Sequence, residues 1–207
     1  MKHLVILVAD RNTEHTLRGL LQRTQDLGIS EIQFDIRVHP QRDPGVYRRA
    51  HDFLRSHLRN YQYALVLLDK EGCGAGERET EQVRLRVQTL LERNGWKGRC
   101  QVVVIDPELD VWVWSKDQAV ASALDLSLSD LEDLLKDGKP SSPKKTLERV
   151  LWERRIPRSS SLYEDIASKV DFTRCTDPAF RLLWETLRRW FGPKDTQFPQ
   201  EVQCPEP

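Results

Sequence analysis

An α/β fold, with a mainly parallel four-stranded sheet flanked by helices and an all-helical C-terminal part, is the class this sequence predicts. Three observations carry that expectation. Short apolar runs alternate three times with segments of helical spacing, a fourth apolar run follows, and after residue 106 no strand pattern recurs. Alternation of strand and helix makes parallel neighbours, because each return to the sheet crosses over through a helix.

The elements follow in order. Leu4-Val5-Ile6-Leu7-Val8-Ala9 is continuously apolar, as a strand covered on both faces must be. Leu17, Leu20, Leu21 and Leu27 then recur at helical spacing and stop at Gly28. Ile32, Phe34, Ile36 and Val38 alternate strictly as a second strand. Val46 to Leu58, entered through Asp43-Pro44, carries Phe53, Leu54 and Leu58 on a second helix. Tyr63 to Leu68 is a third buried strand, Val83, Val87, Leu90 and Leu91 a helix closed by Asn94-Gly95, and Val102 to Ile105 a fourth strand.

Beyond it, Ser127 begins a short helix through Leu128, Leu131, Leu134 and Leu135 that stops at Gly138, and Ser142-Pro143 is a cap and first-turn pair for a helix to Trp152. Asp177-Pro178 opens the clearest helix. Its apolar positions Phe180, Leu183, Trp184, Leu187, Trp190 and Phe191 fall at steps of three and four, and Gly192-Pro193 ends it. The expected organisation is an α/β core over 1–110, a helical part packed on it over 111–192, and a flexible tail over 193–207.

The 207 residues hold 32 Lys plus Arg against 32 Asp plus Glu, so the net charge is zero. That balance argues against a polybasic binder selected by total charge, since such binding neutralises many phosphates at once. The cancellation is nevertheless segmental. Residues 106–138 hold nine acids and two bases, whereas 139–194 hold thirteen bases and seven acids. No apolar run approaches the roughly 20 residues that span a bilayer. Cys73, Cys100, Cys175 and Cys204 have neither CxxC spacing nor nearby His pairs, which speaks against zinc and for free thiols. The expectation is a soluble protein of the reducing cytoplasm with no membrane partner.

Ligands of open parallel sheets bind beyond the carboxyl ends of the strands. Three of those ends are acidic here: Asp10-Arg11-Asn12-Thr13-Glu14, Asp69-Lys70-Glu71, and Asp106-Pro107-Glu108-Leu109-Asp110. If the third strand continues, Asp69 and Glu71 point the same way and can share one hard cation, with Asp10 completing the set from the neighbouring strand. Acids at strand ends also serve as turn and cap residues. Glu108 and Asp110 admit both readings, an arm of the site or a capping pair before a helix carrying Trp112 and Trp114. Gly72-Cys73-Gly74-Ala75-Gly76 lacks the lysine and spacing of a phosphate loop and reads as a flexible connection.

These residues resemble the Toprim-like bacterial family of unknown function found in defence loci, including methylation-associated ones. Asp10-Arg11-Asn12-Thr13-Glu14 is similar to its Glu-Gly-x-Thr-Glu motif, Asp69-Lys70-Glu71 to its Asp-x-Asp motif, and Glu108-Leu109-Asp110-Val111-Trp112 to its Glu-x-Glu-x-Trp segment. Pro143-Lys144-Lys145, Tyr163 before a short helix, and the stretch from Cys175 to Phe180 also fit, so the resemblance spans about residues 1 to 192. It implies a Toprim-like fold, Asp10 as general acid or base with Glu14 beside it, and Asp69 and Glu71 as ligands of Mg2+ or Mn2+. The implied chemistry is metal-assisted work on nucleic-acid phosphodiesters in antiphage defence. Asp10, Arg11 and Glu71 each depart from the family pattern. A non-catalytic interaction or sensor module of a multi-protein defence complex is therefore the alternative. A nucleotide-binding regulator is a third class, set back by the missing phosphate loop.

Lys144, Lys145 and Arg149, with Arg154, Arg155 and Arg158 beyond them, form a basic segment that would contact DNA or RNA phosphates, or else a solvated helix face paired with the acidic segment. Core packing is expected of the tryptophans on the last helix. No Ser/His/Asp or Cys/His arrangement can be argued from spacing, and His15 reads as a solvent-facing helix residue.

Overall fold

The computed structural model describes residues 1–193; the expected tail, apart from Pro193, and Cys204 lie outside the described residues. Four strands, β1 (Lys2–Val8), β2 (Phe34–Val38), β3 (Tyr61–Asp69) and β4 (Cys100–Ile105), form one sheet in the order β2-β1-β3-β4. Every neighbouring pair is parallel, with Ile6 opposite both Ile36 and Leu65, and Val66 opposite Val102. The continuous apolar runs are explained by this placement, because Leu4 to Val8 and Ala64 to Leu67 are fully buried between two helical layers.

The alternation within each strand divides the layers. Val5, Leu7, Ala64, Val66, Val102 and Val104 face α3 (Arg42–Arg55) and α4 (Thr80–Leu91), which contribute Val46, Leu54, Val83 and Val87. Leu4, Ile6, Val8, Leu65, Leu67 and Val103 face α1 (Arg11–Leu21) and α2 (Thr24–Leu27). Gly28 closes α2 at φ +67°, a left-handed cap that glycine adopts without strain.

One crossover helix cannot cover a four-stranded face, and the C-terminal part supplies the remainder. It comprises α5 (Gln118–Ala123), α6 (Leu128–Leu134), α7 (Pro143–Glu153), α8 (Ser160–Lys169) and α9 (Pro178–Phe191). Their apolar residues join β1, β3 and β4 in a single core, so residues 1–110 and 111–192 share their packing. Helix α9 lies on β4, and its Trp190 stacks on Tyr63 of β3 at 4.6 Å between ring centroids. Helix α8 packs closely on α1 at Gly19, where a Cβ would stand 2.5 Å from the Glu164 carbonyl oxygen.

Several local expectations change. Tyr163 sits within α8, and α5 has no periodic signal in its sequence. Glu108 is followed by a 3-10 turn, Leu109–Trp112, instead of a helix. Ser142 makes no side-chain cap for α7. His15 is tied to α8, its Nδ1 lying 2.6 Å from Glu164 Oε2. Trp184 and Trp190 pack against the core as expected, but Trp152 is 80% exposed at the end of α7. No helix among the described residues is long and apolar enough to cross a membrane.

Candidate functional site

The chain leaves β1 for β2 on one side and returns as β3 on the other, so the connections after β1 and β3 diverge. That topology opens a crevice at the carboxyl edge. A polar cleft of about 530 Å³ occupies this place. Its acids are Asp10, Asp69, Glu108 and Asp110, and its bases Arg11, Arg42, Lys144 and Arg158.

Each acid has a structural hydrogen bond. Asp10 caps α1, its Oδ1 accepting from the Thr13 backbone N–H at 2.8 Å and from Thr13 Oγ1 at 2.9 Å. Asp69 ends β3; its Oδ1 accepts from the Leu109 N–H at 3.0 Å while its own N–H donates to Asp43 Oδ1 at 2.8 Å. Burial holds the Asp69 carboxyl well above the usual carboxylate range, and the nearby Asp43, Asp10 and Asp110 push it the same way. Asp43 is also raised, by burial first and by Asp10 among its neighbours. Like charges crowded at a poorly solvated edge favour the proton.

The C-terminal part closes the cleft with opposite charge. Asp110, 5% exposed, accepts from Tyr163 Oη at 2.7 Å and lies 3.8 Å from Arg158 Nη2. Burial raises Asp110, against the lowering effect of Tyr163 and Arg158. Glu108 takes the place left by Ser142: its Oε1 accepts from the Lys144 N–H at 3.3 Å in the first turn of α7, and its Oε2 lies 3.9 Å from Lys144 Nζ. A carboxylate at a helix N-terminus satisfies a free N–H and opposes the positive end of the dipole. Glu108 thus caps α7, 35 residues downstream, and makes no side-chain cap for the turn that carries Trp112, while both acids line the cleft.

Two further groups belong to the cleft. His39 follows β2; its Nδ1 accepts from the Gln41 N–H at 3.1 Å, and burial followed by Arg49 lowers its proton affinity. Gly45 permits this position, because a Cβ there would collide with the His39 ring. Arg42 stands at the rim with φ +50°, a left-handed conformation that costs a non-glycine residue about 1–2 kcal/mol.

Asp10, Asp69 and Lys144 therefore line the cleft together with Glu108, Asp110 and Arg158, whereas Glu14, Glu71, Lys145, Arg149, Arg154 and Arg155 lie outside it. Glu71 is exposed and outside the lining. β3 ends at Asp69, so the strand parity that would align Glu71 with Asp69 no longer applies, and Glu71 sits in a turn with its N–H donating to the Pro107 carbonyl. Glu14 forms an ion pair with Arg18 at 2.7 Å along α1. Lys145 is on the exposed side of α7, as is Arg149, which pairs with Glu153 at 3.2 Å. His39 and Arg42 follow directly from applying the strand-end rule to β2, whereas Asp43 and Tyr163 reach the site through tertiary contacts.

No family model, curated protein or solved structure matches this chain. The site must be judged on its own donors. Among the described residues no group of three or more His, Cys, Asp or Glu side chains is placed to hold a metal ion. The expected set of Asp10, Asp69 and Glu71 does not fit a caged cation, because Glu71 does not line the cleft. Of that set Asp10 and Asp69 line the cleft, and each already has one oxygen engaged.

Proposed function

We propose that this chain is a phosphate-recognising, non-cleaving component of a bacterial antiphage defence complex, built on a Toprim-like core whose strand-end acids brace cationic side chains. The carrying observation is the composition of the cleft, which four bases line beside acids already engaged by donors of this chain. Arg11 and Arg42 are exposed at its rim, Lys144 opens α7, and Arg158 spans Asp110 and Glu148. Guanidinium and ammonium groups so placed suit the oxygens of a DNA or RNA phosphodiester. The resemblance in motif order supplies the defence setting, with other proteins of the defence system as partners.

Anisotropy of labelled single- and double-stranded DNA and RNA, between about 50 and 200 mM salt, tests this reading. Four phosphate contacts predict a log–log salt slope of about −3 to −4. Arg11→Gln or Arg42→Gln should weaken binding several-fold and reduce that slope by about one. No binding to any of these nucleic acids refutes the proposal.

A metal-dependent nuclease is the second reading, favoured by the crowding that raises Asp69, since a divalent cation would relieve it. Mg2+ commonly takes one or two carboxylates together with substrate phosphate, and Asp10 and Asp69 would supply those oxygens. Cleavage in Mg2+ or Mn2+ that is lost in Asp69→Asn would overturn the non-cleaving assignment in its favour.

A further inference from the structure

A second cavity, of about 300 Å³, lies among the 3-10 turn, α1, α8 and the segment leading into α9. Its lining is mostly apolar, with Leu20, Trp112, Trp114, Ile166, Phe172 and Phe180 prominent, and it adjoins the polar cleft at Leu109, which lines both, and at Tyr163, which bonds to Asp110. Aromatic rings in contact form its wall: Phe180 meets Trp112 edge-on at 5.4 Å and lies tilted against Phe172 at 5.9 Å. A volume of this size is at the lower end for pockets that bury a small molecule, and its apolar lining forfeits dispersion contacts when unfilled.

Charge says what would fill it. Lys116, Lys139 and Arg174 contribute to the lining along with Asp117 and Asp171. Both acids are engaged: Asp117 accepts from the N–H groups of Ala119 and Asp171, and Asp171 pairs with Arg174 at 3.1 Å. Lys139 Nζ donates to the Val111 carbonyl at 2.8 Å, and neither Lys139 nor Lys116 has a carboxylate partner among the described residues.

We infer that this cavity binds a small apolar carboxylate, a ring system or acyl chain of about ten carbons whose anionic end is met by Lys116 and Lys139. The site is independent of nucleic-acid recognition in the cleft, so failure of either assignment leaves the other standing.

Calorimetric titration of the full chain with decanoate, held below its micelle-forming range, and with decanol is the test. Decanoate should bind at one site and about tenfold or more tighter than decanol. The Lys116→Gln/Lys139→Gln double variant, at two exposed positions, should erase the preference for the acid. Val170→Phe, at a partly exposed lining position, should abolish binding of both compounds; circular dichroism establishes that it folds, and if it does not, the lysine variant decides. Absence of saturable decanoate binding, equal binding of decanol, or an unchanged acid preference in the lysine variant would overturn the inference.

Discussion

Tyr163→Phe isolates the contact that ties α8 to the acidic end of the cleft. The phenol donates at 2.7 Å to the buried Asp110, beside which Arg158 stands at 3.8 Å and Lys144 adds a second positive charge. A hydrogen bond to a charged group contributes about 1.5–3 kcal/mol, and removing one partner leaves the desolvated carboxylate under-satisfied. Arg158 remains, so the expected loss is about 2 kcal/mol. For a chain of this length that lowers the melting temperature by roughly 4–8 °C.

The pH dependence has a definite sign. Asp110 is raised above its ordinary value of 3.8 by burial, while Tyr163 and Arg158 favour its ionised form. Without the phenol the carboxyl holds its proton to higher pH. The penalty should therefore be full at neutral pH and shrink as the pH falls towards the ordinary aspartate value, where the carboxyl is protonated with or without the donor. Thermal melts of wild type and Tyr163→Phe at several pH values measure both quantities. A loss under about 1 °C at neutral pH, or a penalty that stays constant to low pH, refutes the argument.

Other substitutions test the packing and the cleft. Gly19→Ala places a methyl against the Glu164 carbonyl and should cost about 1–3 kcal/mol by forcing α1 and α8 apart, measured by urea unfolding. Leu65→Ala, at a fully buried position between β1 and β4, should cost about 3 kcal/mol in the same measurement. Arg42→Gly relieves a left-handed arginine at the cleft rim, so stability should be unchanged or rise by up to about 1 kcal/mol while nucleic-acid affinity falls several-fold. Loss of both would show that Arg42 is structural.

The strands were legible because a sheet buried on both faces leaves unbroken apolar runs, and β1, β3 and β4 carry them. The long amphipathic α9 was legible for the complementary reason, a 3.6-residue period with Asp177 accepting from two N–H groups at its start. Short elements were not: α5 has six residues, too few to show a period, and α8 begins in a polar run of serines. In the site, the strand-end rule located Asp10 and Asp69 because topology alone brings them together. Glu71 escaped that rule, since side-chain parity ends where the strand does. The Asp110–Tyr163 bond joins residues 53 apart, and such pairings leave no local trace.

The segmental charge imbalance acquires a meaning from the same contacts. Acidic residues 106–138 and basic residues 139–194 are adjacent in sequence, and the fold sets one against the other. Glu108 meets Lys144, Asp110 meets Arg158, and Asp130 lies 4.0 Å from Arg154. Two of these three pairs line the cleft, whereas Asp130 and Arg154 are exposed, where salt screens the attraction and an ion pair contributes little. A phosphate entering the cleft would find cations held in place by acids that cannot easily release them, and it would compete with those acids for the same donors. Because the cleft carries as many acids as bases, its affinity should depend on how far Arg11 and Arg42, which have no carboxylate partner among the described residues, outweigh the braced pair. The chain's neutrality is thus compatible with anion recognition that is local and set by geometry.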